Sequence, residues 1–221
     1  MEIVIKIGGS LATSPKILRL LCTKIGSIGK KHSLFIVPGG SKFADVARDF
    51  DKRYKLTQET SHKNAILSMD QYGIILKELI PNSFSFNQLN DYKKILKTKK
   101  IPVFLPSSYM FKKDPLENSW SVTSDSIAAH LAEELNITNL ILITDVDGLF
   151  TKDPKKFSEA KFIKNISPSA LIRLNQESCI DKFLGKILLK SKIRCFIVNG
   201  MYPSRLSAIL KKQQTIYTKI F

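Results

Sequence analysis

Two paired-glycine turns in the sequence are suited to phosphate chemistry. Lys6 and the run Gly8-Gly9-Ser10 end one apolar stretch, and Pro38-Gly39-Gly40 ends a second. Paired glycines let a backbone approach phosphate oxygens closely and direct N–H groups at them. A lysine at the end of the same stretch can neutralise the charge of a phosphoryl group during its transfer. A tight turn beside a solvated lysine is the alternative, but two such turns favour a shared anion or a pair of phosphates.

The most specific signal is a polar segment that directly follows the apolar residues 140–143. The segment contains carboxylates, a glycine and an aromatic side chain, in the order Thr144, Asp145, Asp147, Gly148, Phe150, Lys152 and Asp153. Carboxylates at the end of a strand can orient lysines, bind a ribose or hold a metal, and a plain turn is the alternative. A calcium loop is not expected, because further oxygen ligands at loop spacing are missing.

Two further clusters stand where helices are predicted to begin. His62 lies in Ser61-His62-Lys63 at the start of a long amphipathic pattern. Because helix N-termini favour anions, a bound phosphate and a solvated cap are both open interpretations for it. Ser124 and Asp125 lie in a hydroxyl-rich run before an apolar helix, where one of them can cap that helix. The hydroxyls beyond one cap indicate contact with a ligand.

Alternating strand and helix patterns position these turns. Short β-branched runs predict strands at residues 3–7, 34–37, 103–105, 140–144, 195–198 and 216–220, with a weaker strand near Phe84. Spacings of three and four predict helices at residues 15–28, 43–53, 61–79, 89–96, 124–134, 167–174 and 203–210. Residues 106–120 are expected to form a polar, turn-rich excursion such as a hairpin. Lys6 alternates with Ile5 and Ile7, so its side chain is expected on the opposite face of the first strand.

This alternation predicts an α/β fold in which helices cover both faces of a mainly parallel sheet. No repeat or linker interrupts residues 1–221, so we expect one domain with two lobes that meet near Trp120. Ligands of such sheets bind outside the carboxyl ends of the strands. That rule brings the turns at residues 8–10, 39–40, 144–148 and 199–200 to one rim.

Composition limits the partners and the compartment. The chain has 221 residues, 43% hydrophobic and 24% charged, which is ordinary for a globular protein. Its net charge is +16, but the lysines are scattered and no nucleic-acid module is present, so we expect anionic substrates and no nucleic-acid partner. No apolar run reaches the roughly 20 residues of a membrane span, so no membrane partner is expected. The P-loop and dinucleotide fingerprints are also missing.

The three cysteines predict a reducing compartment. Cys22, Cys179 and Cys195 are odd in number and show no metal-like spacing, so we interpret them as reduced core thiols. The sequence begins with a strand-like stretch and without a basic segment followed by an apolar one, which is untypical of a secretory leader. A cytoplasmic location is therefore expected.

The order and spacing of the motifs resemble the amino acid kinase superfamily. The resemblance rests on Lys6-x-Gly8-Gly9-Ser10, Pro38-Gly39-Gly40, Thr123-Ser124-Asp125, the run 144–150 and Asp153-Pro154. This superfamily includes acetylglutamate, carbamate, uridylate and isopentenyl phosphate kinases. Further features are most similar to archaeal members that act in methanofuran biosynthesis: Ser61-His62-Lys63 with Met69-Asp70, Asn118-Ser119-Trp120, Val198-Asn199-Gly200 and the final run 216–220.

The resemblance implies a three-layer αβα sandwich with an eight-stranded, mainly parallel sheet, with the acceptor in the amino-terminal lobe and ATP in the carboxy-terminal lobe. Its catalytic residues would be Lys6 and Asp145. Phosphate would be bound by Gly8, Gly9, Ser10, Gly39 and Gly40, the acceptor by His62, Ser124 and Asp125, and the nucleotide by Thr144, Asp147, Gly148, Phe150, Lys152 and Asp153. Mg²⁺ would be held by ATP oxygens and not by protein side chains.

The implied reaction transfers the γ-phosphoryl group of ATP to a phosphate monoester and forms a diphosphate. Aminomethylfuranyl-methyl phosphate is the expected acceptor. Isopentenyl phosphate, uridylate, an amino acid carboxylate and a non-catalytic nucleotide- or oxyanion-binding subunit are the alternatives. A homo-oligomer is expected, with residues 61–79 as its interface.

One departure from the family pattern leaves a role open. Many members have a Gly-Gly-Met-x-x-Lys-like motif whose lysine is a second catalytic cation. The corresponding residues 178–190 lack this motif and contain Asp181, Lys182, Lys186 and Lys190 instead. The sequence does not decide which lysine, if any, takes the role.

Overall fold

The computed structural model describes residues 1–174 and 179–221. Within them, the strands are Glu2–Ile7 (β1), Ser33–Pro38 (β2), Ser83–Phe86 (β3), Ile101–Phe104 (β4), Asn139–Thr144 (β5), Leu149–Phe150 (β6), Phe162–Ile163 (β7), Asn165–Ile166 (β8), Arg194–Asn199 (β9) and Thr218–Ile220 (β10). The α-helices are Pro15–Gly29 (α1), Ser41–Tyr54 (α2), Gln58–Leu79 (α3), Tyr92–Lys97 (α4), Ser107–Lys113 (α5), Ser124–Glu134 (α6), Pro168–Arg173 (α7), Leu184–Lys190 (α8) and Ser204–Leu210 (α9). Short 3-10 helices lie at Gly9–Thr13 and Leu89–Asp91.

Eight of these strands form one sheet in the order β3-β4-β2-β1-β5-β9-β10-β8. Its neighbours run parallel except β9 and β10, which are antiparallel. The predicted mainly parallel sheet is therefore confirmed. The register pairs Ile7 with both Pro38 and Ile143, and Thr144 with Asn199. The carboxyl ends of β1, β2, β5 and β9 consequently meet at one edge of the sheet.

The alternation along β1 sends its side chains to two different layers. Ile3, Ile5 and Ile7 are fully buried in one hydrophobic cluster, whereas Val4 lies in the cluster on the other face. The side chain of Lys6 leaves the strand on the same face as that of Val4, as the alternation predicted. Lys6 is buried, with only 8% of the residue exposed. The strand thus carries a charged group to the edge of the sheet through an otherwise apolar interior.

Helices cover both faces of the sheet, which completes the three layers. Leu21 and Ile25 of α1 pack in the cluster of Ile3 and Ile5. On the other face, α6 and α8 contribute Ile127, Leu131, Leu184, Ile187 and Leu188 to the cluster of Val4. Each such buried aliphatic side chain stabilises the fold by about 2 kcal/mol relative to an exposed one.

The hairpin proposed for residues 106–120 is wrong, because α5 occupies its first half. The carboxylate of Asp70 accepts hydrogen bonds from both the backbone N–H and the hydroxyl of Ser107, and so caps the first turn of α5. Asp70 lies 37 residues earlier in the chain, so the local polar composition carries no trace of this cap.

Other differences from the predicted elements also arise from hydrogen-bond partners that sequence periodicity does not reveal. Helix α3 begins at Gln58, not at residue 61, because the hydroxyl of Thr57 accepts a hydrogen bond from the N–H of Thr60. The two-residue strands β6, β7 and β8 were not predicted, and neither was α8. Strands this short exist only through their pairing, as β6 does with β7.

The three cysteines are free thiols, as expected from their spacing. Burial raises the pKa of Cys22 to about 12, and the opposing positive charge of Arg19 is the smaller effect. Within the part of the chain that the structure describes, no helix is both long enough and apolar enough to cross a membrane.

Candidate functional site

A cavity of about 770 Å³ opens at the edge where β1, β2 and β5 end. Most of the site residues predicted from the sequence line it: Lys6, Gly8, Gly9, Ser10, Gly40, Ser124, Asp125, Thr144, Asp145, Gly148, Phe150, Lys152 and Asp153. The first and the last of these residues, Lys6 and Asp153, are far apart in sequence, so the parallel sheet is what brings them together.

The centre of the cavity holds a buried ion pair between Lys6 and Asp125. Lys6 Nζ lies 2.8 Å from Asp125 Oδ1, and the two side chains are 10% and 5% exposed. Burial raises the pKa of Asp125, the Lys6 ammonium opposes this, and the negative charge of Asp181 adds to it. Asp125 was expected to contact an acceptor, and the structure makes it the partner of Lys6. Asp125 thus holds the Lys6 ammonium inside the cavity.

A second ion pair joins Asp145, which follows β5, to Lys155. Lys155 Nζ lies 2.5 Å from Asp145 Oδ2. Burial alone would raise the pKa of Asp145, but hydrogen bonds from Lys155 and Ser10 and the Lys155 charge lower it below its ordinary value. Asp145 thus orients Lys155. Lys6 and Lys155 therefore line the same cavity.

The backbone N–H groups of the glycine turns are of two kinds. Some donate hydrogen bonds to strand carbonyls, and others lie at the starts of helices. Gly8 N donates to Ile143 O at 2.8 Å, and Gly39 N donates to Ile7 O at 2.9 Å. Gly9 and Gly40 instead stand at the starts of the first 3-10 helix and of α2, where N–H groups lack a partner within the helix. These N–H groups, with that of Ser10, are the ones suited to phosphate oxygens.

Gly9 is required by a close approach of two turns. A Cβ atom at this position would overlap the backbone of Ser41, at the first position of α2. The absence of a side chain lets the turns after β1 and β2 touch, and so brings both helix starts to the same side of the cavity.

The loop after β5 forms the remaining wall. Gly148 has a φ of 146°, which L side chains rarely adopt, and Phe150 packs edge-on against Phe162 with ring centroids 5.5 Å apart. Lys152 pairs with Glu159 at 2.9 Å, and Asp153 Oδ1 accepts a hydrogen bond from the Lys155 backbone N–H at 2.9 Å. The last contact holds Lys155 in position to reach Asp145.

Three residues predicted for the site do not line the cavity: Gly39, His62 and Asp147. His62 lies in the second turn of α3 and is 5% exposed. Burial lowers its pKa, opposed by the charge of Asp114 and a hydrogen bond with the backbone of Ser119. The premise of a helix N-terminus at His62 therefore fails, because the helix starts earlier.

Asp147 holds the carboxyl end of β9 and does not reach the cavity. Its Oδ1 accepts hydrogen bonds from Asn199 at 2.9 Å and from Arg205 at 2.5 Å. Burial alone would raise the pKa of Asp147, but these two partners lower it below its ordinary value.

The wall near α2 contains residues that the sequence reasoning missed. Arg48 stacks on the ring of Trp120 at 4.8 Å from the centroid and pairs with Asp45 at 3.1 Å. Trp120 donates its indole N–H to Asp51 at 2.7 Å. Ser41, Asp45 and Arg48 are spaced by four and three residues on one helical face that follows a paired-glycine turn, and that pattern is a usable signal.

Residues 178–190, which replace the family's lysine motif, lie only partly in the cavity. Ser178 lies outside the described residues, whereas Asp181 and Lys182 line the cavity. Lys186 instead lies over the ring of Phe183 at 5.1 Å, and Lys190 is exposed at the end of α8. Lys182 thus lines the cavity together with Lys152 and Lys155, whereas the lysines within α8 do not.

The carboxylates of the cavity are committed to protein partners. Among residues 1–174 and 179–221, no group of three or more His, Cys, Asp or Glu side chains is arranged to hold a metal ion. Asp125 and Asp145 face lysines, and Asp181 accepts hydrogen bonds from two helix starts.

The fold and the cavity identify the class of protein. The chain belongs to the amino acid kinase family, whose model matches residues 1–199. It is therefore an enzyme of the phosphotransferase type, a kinase, and the resemblance seen in the motifs is confirmed.

Individual relatives are kinases with phosphate-bearing substrates in their names. The (5-(aminomethyl)furan-3-yl)methyl phosphate kinase of Methanocaldococcus jannaschii is 34% identical over 218 residues, covering 98% of this chain and 96% of that protein. The uridylate kinase structure of Archaeoglobus fulgidus superposes with a TM-score of 0.79 at 22% identity and full coverage of both chains. An isopentenyl phosphate kinase in complex with substrate superposes with a TM-score of 0.69 at 19% identity, covering 99% of this chain and 100% of that one. The two structural likenesses establish the fold alone.

Proposed function

We propose that the protein transfers the γ-phosphoryl group of ATP to the phosphate of a small monoester and forms a diphosphate. The observation that carries this proposal is the Lys6 ammonium, held by Asp125 at 2.8 Å inside a cavity bordered by two helix starts. Such an array neutralises the charge of a phosphoryl group in transfer and supplies N–H donors to its oxygens. A phosphate acceptor is already ionised near neutral pH, so no general base is required.

The chemistry is assigned to positioning and charge. Lys6 contacts the transferring group, and Lys155, oriented by Asp145, contacts the donor phosphates. The N–H groups of Gly9, Ser10 and Gly40 bind phosphate oxygens. Holding donor and acceptor in line for direct displacement contributes several kcal/mol of rate acceleration, without a covalent enzyme intermediate.

We assign the two substrates to two lobes of one domain that divide near Trp120. The carboxy-terminal lobe would bind ATP through the loop that contains Gly148, Phe150, Lys152 and Asp153, which line the cavity. Mg²⁺ would be coordinated by ATP oxygens, because the nearby carboxylates already have cationic or N–H partners. The amino-terminal lobe would bind the acceptor beside Arg48 and Trp120.

The acceptor we propose is aminomethylfuranyl-methyl phosphate, which carries an amino group and a phosphate. The 34% identity over nearly the full chain supports it. So does the wall near α2, because Arg48 is suited to the phosphate and Asp45 to the ammonium. The Trp120 ring already carries a cation on its face, as an aromatic partner of an ammonium would. Uridylate and isopentenyl phosphate, which have no ammonium, are the competing acceptors.

A panel of acceptors tests the proposal. We expect ATP consumption in the presence of Mg²⁺ to require aminomethylfuranyl-methyl phosphate and to be at least about tenfold faster than with any other acceptor, the discrimination expected from one paired charge. The panel also contains isopentenyl phosphate, uridylate, acetylglutamate and carbamate, and a reaction without acceptor corrects for ATP hydrolysis. Faster turnover of uridylate or isopentenyl phosphate would overturn the furan assignment and keep the kinase assignment.

The amino group of the acceptor provides a second, more local prediction. Asp45→Asn should raise KM for aminomethylfuranyl-methyl phosphate by about tenfold and change KM for its analogue without the amino group by a much smaller factor. Both acceptors bind beside the Arg48 that Asp45 pairs with, but only the first loses an ionic partner. Asp49→Asn is the matched control, since Asp49 lies on the same helix, pairs with Arg53 at 2.8 Å and does not line the cavity. Equal effects of Asp45→Asn on both acceptors would place the ammonium elsewhere.

We also propose a homo-oligomer that uses α3. Helix α3 exposes Leu67, Ile74 and Ile75, at 45%, 58% and 41%. Exposed apolar side chains grouped on one helix are typical of a surface that another chain covers.

A further inference from the structure

One carboxylate near the Lys6–Asp125 pair binds the starts of two helices at once. Asp181 Oδ2 accepts hydrogen bonds from the N–H and hydroxyl of Thr123 and from the N–H of Ser126, each at 2.9 Å. Asp181 Oδ1 accepts hydrogen bonds from the Ser126 hydroxyl at 2.5 Å, the Phe183 N–H at 3.1 Å and the Leu184 N–H at 2.9 Å. The donors belong to the first turns of α6 and α8.

These contacts leave Asp181 no capacity for other chemistry. A carboxylate offers about four lone-pair directions, and the described donors to Asp181 already number six. It therefore has no site for a metal ion and no free basic oxygen. It therefore acts on the groups that it holds and, through its charge, on nearby ionisable groups.

The group that Asp181 holds most directly is the turn that carries Asp125. Asp125 stands between the two anchored residues, Thr123 and Ser126, so its backbone cannot shift without breaking these hydrogen bonds. Asp125 in turn contacts Lys6 at 2.8 Å. The negative charge of Asp181 also contributes to the raised pKa of Asp125, behind the larger effect of burial. A chain of direct contacts thus leads from the start of α8 to the amine at the end of β1.

We propose that Asp181 is a positioning residue for phosphoryl transfer, which fixes Asp125 and through it the Lys6 ammonium. The proposal rests on the proposed role of Lys6. The first turn of α8 and the first turn of α6 are locked together by this carboxylate, so the position of the amine depends on both helices. Such a residue acts on the rate of transfer more than on ATP affinity, because a small displacement of a charge affects the transition state most.

The test is Asp181→Asn, which keeps the shape and replaces an acceptor oxygen by an N–H₂ group that faces N–H donors. We expect kcat to fall by roughly ten- to a hundredfold while KM for ATP changes by less than about threefold, since charged hydrogen bonds of this kind stabilise by one or two factors of ten. Lys6 should also become about tenfold more reactive toward an acetylating reagent, measured on its peptide by mass spectrometry, because its ion pair is loosened.

Asp70→Asn is the matched control. Asp70 also caps a helix, through the N–H and hydroxyl of Ser107, but it does not line the cavity. The Asp70→Asn substitution should lower Tm and leave both kcat and the acetylation of Lys6 as in the wild type. If Asp181→Asn behaves in the same way as Asp70→Asn, Asp181 is a helix cap only and the proposal is overturned.

A milder variant keeps the test decisive if Asp181→Asn does not fold. Ser126→Ala removes the 2.5 Å hydrogen bond to Asp181 Oδ1, and Ser126 does not line the cavity. It should produce smaller changes in the same directions, about threefold in kcat and in Lys6 acetylation. Wild-type values for both measurements would overturn the proposal. The acetylation measurement needs no acceptor, so it separates a failure of this proposal from a wrong choice of substrate.

Discussion

Lys6→Met is expected to lower kcat by about a thousandfold, the effect of removing a cation that stabilises a transferring phosphoryl group. Methionine keeps the length and apolar stem of the side chain and removes only the charge. KM for ATP should change far less, because the N–H groups of Gly9, Ser10 and Gly40 and the Lys155 ammonium remain. Single-turnover measurements with ATP and the acceptor separate the loss of transfer from any loss of binding.

The same substitution should also destabilise the fold, and a second change separates the two effects. Without Lys6, the carboxylate of Asp125, whose side chain is 5% exposed in the wild type, is left without its cation, and breaking such a buried pair costs about 3 kcal/mol. Lys6→Met with Asp125→Asn should recover most of the free energy of unfolding and none of the activity. Lys161→Met, at an exposed lysine outside the cavity, is the control. Recovery of activity in the double variant would contradict a catalytic role for Lys6.

Asp145→Asn is expected to lower kcat by about a hundredfold, because Lys155 loses the partner that aims it into the cavity. Lys155→Met should reproduce this loss, and the double variant should lose no more than either single variant, since both act through one ion pair. Steady-state rates at saturating ATP measure all three. Additive losses would show that Asp145 and Lys155 act independently.

The lowered pKa of Asp145 gives this prediction a pH dependence. A carboxylate with a folded-state pKa below its ordinary value of about 3.9 stabilises the fold above that pH and ceases to do so as the pH falls through its folded-state pKa. The difference in free energy of unfolding between wild type and Asp145→Asn should therefore be largest near neutral pH and shrink in acid. Denaturant titrations from pH 7 to pH 3 measure it.

The sequence was most informative where local pattern and sheet geometry coincide. The alternation of Ile5, Lys6 and Ile7 predicts the face on which the lysine lies, and parallel strands require their polar ends to share an edge. The cavity therefore contains Gly9, Ser10 and Asp145 as predicted.

The sequence could not predict which charged side chains, distant in the chain, form ion pairs with each other. Lys6 pairs with Asp125, and Asp145 pairs with Lys155, although all four groups face the same cavity. Asp181 is separated from Thr123 by 58 residues, so no local pattern connects them. The expectation that His62 lies at a helix N-terminus was not met for another reason, because the start of α3 was predicted too late in the sequence.

The hydrogen bonds of Gly8 to Ile143 and of Gly39 to Ile7 have a further consequence, for how such an enzyme changes its substrate. They extend the sheet into the turns, so the floor of the cavity cannot be remodelled without breaking the central strands. The wall near α2, in contrast, consists of side chains such as Asp45, Arg48 and Trp120, which can be exchanged one at a time. One backbone can thus keep the phosphate chemistry and acquire acceptors as different as a nucleotide, a prenyl group and an amine.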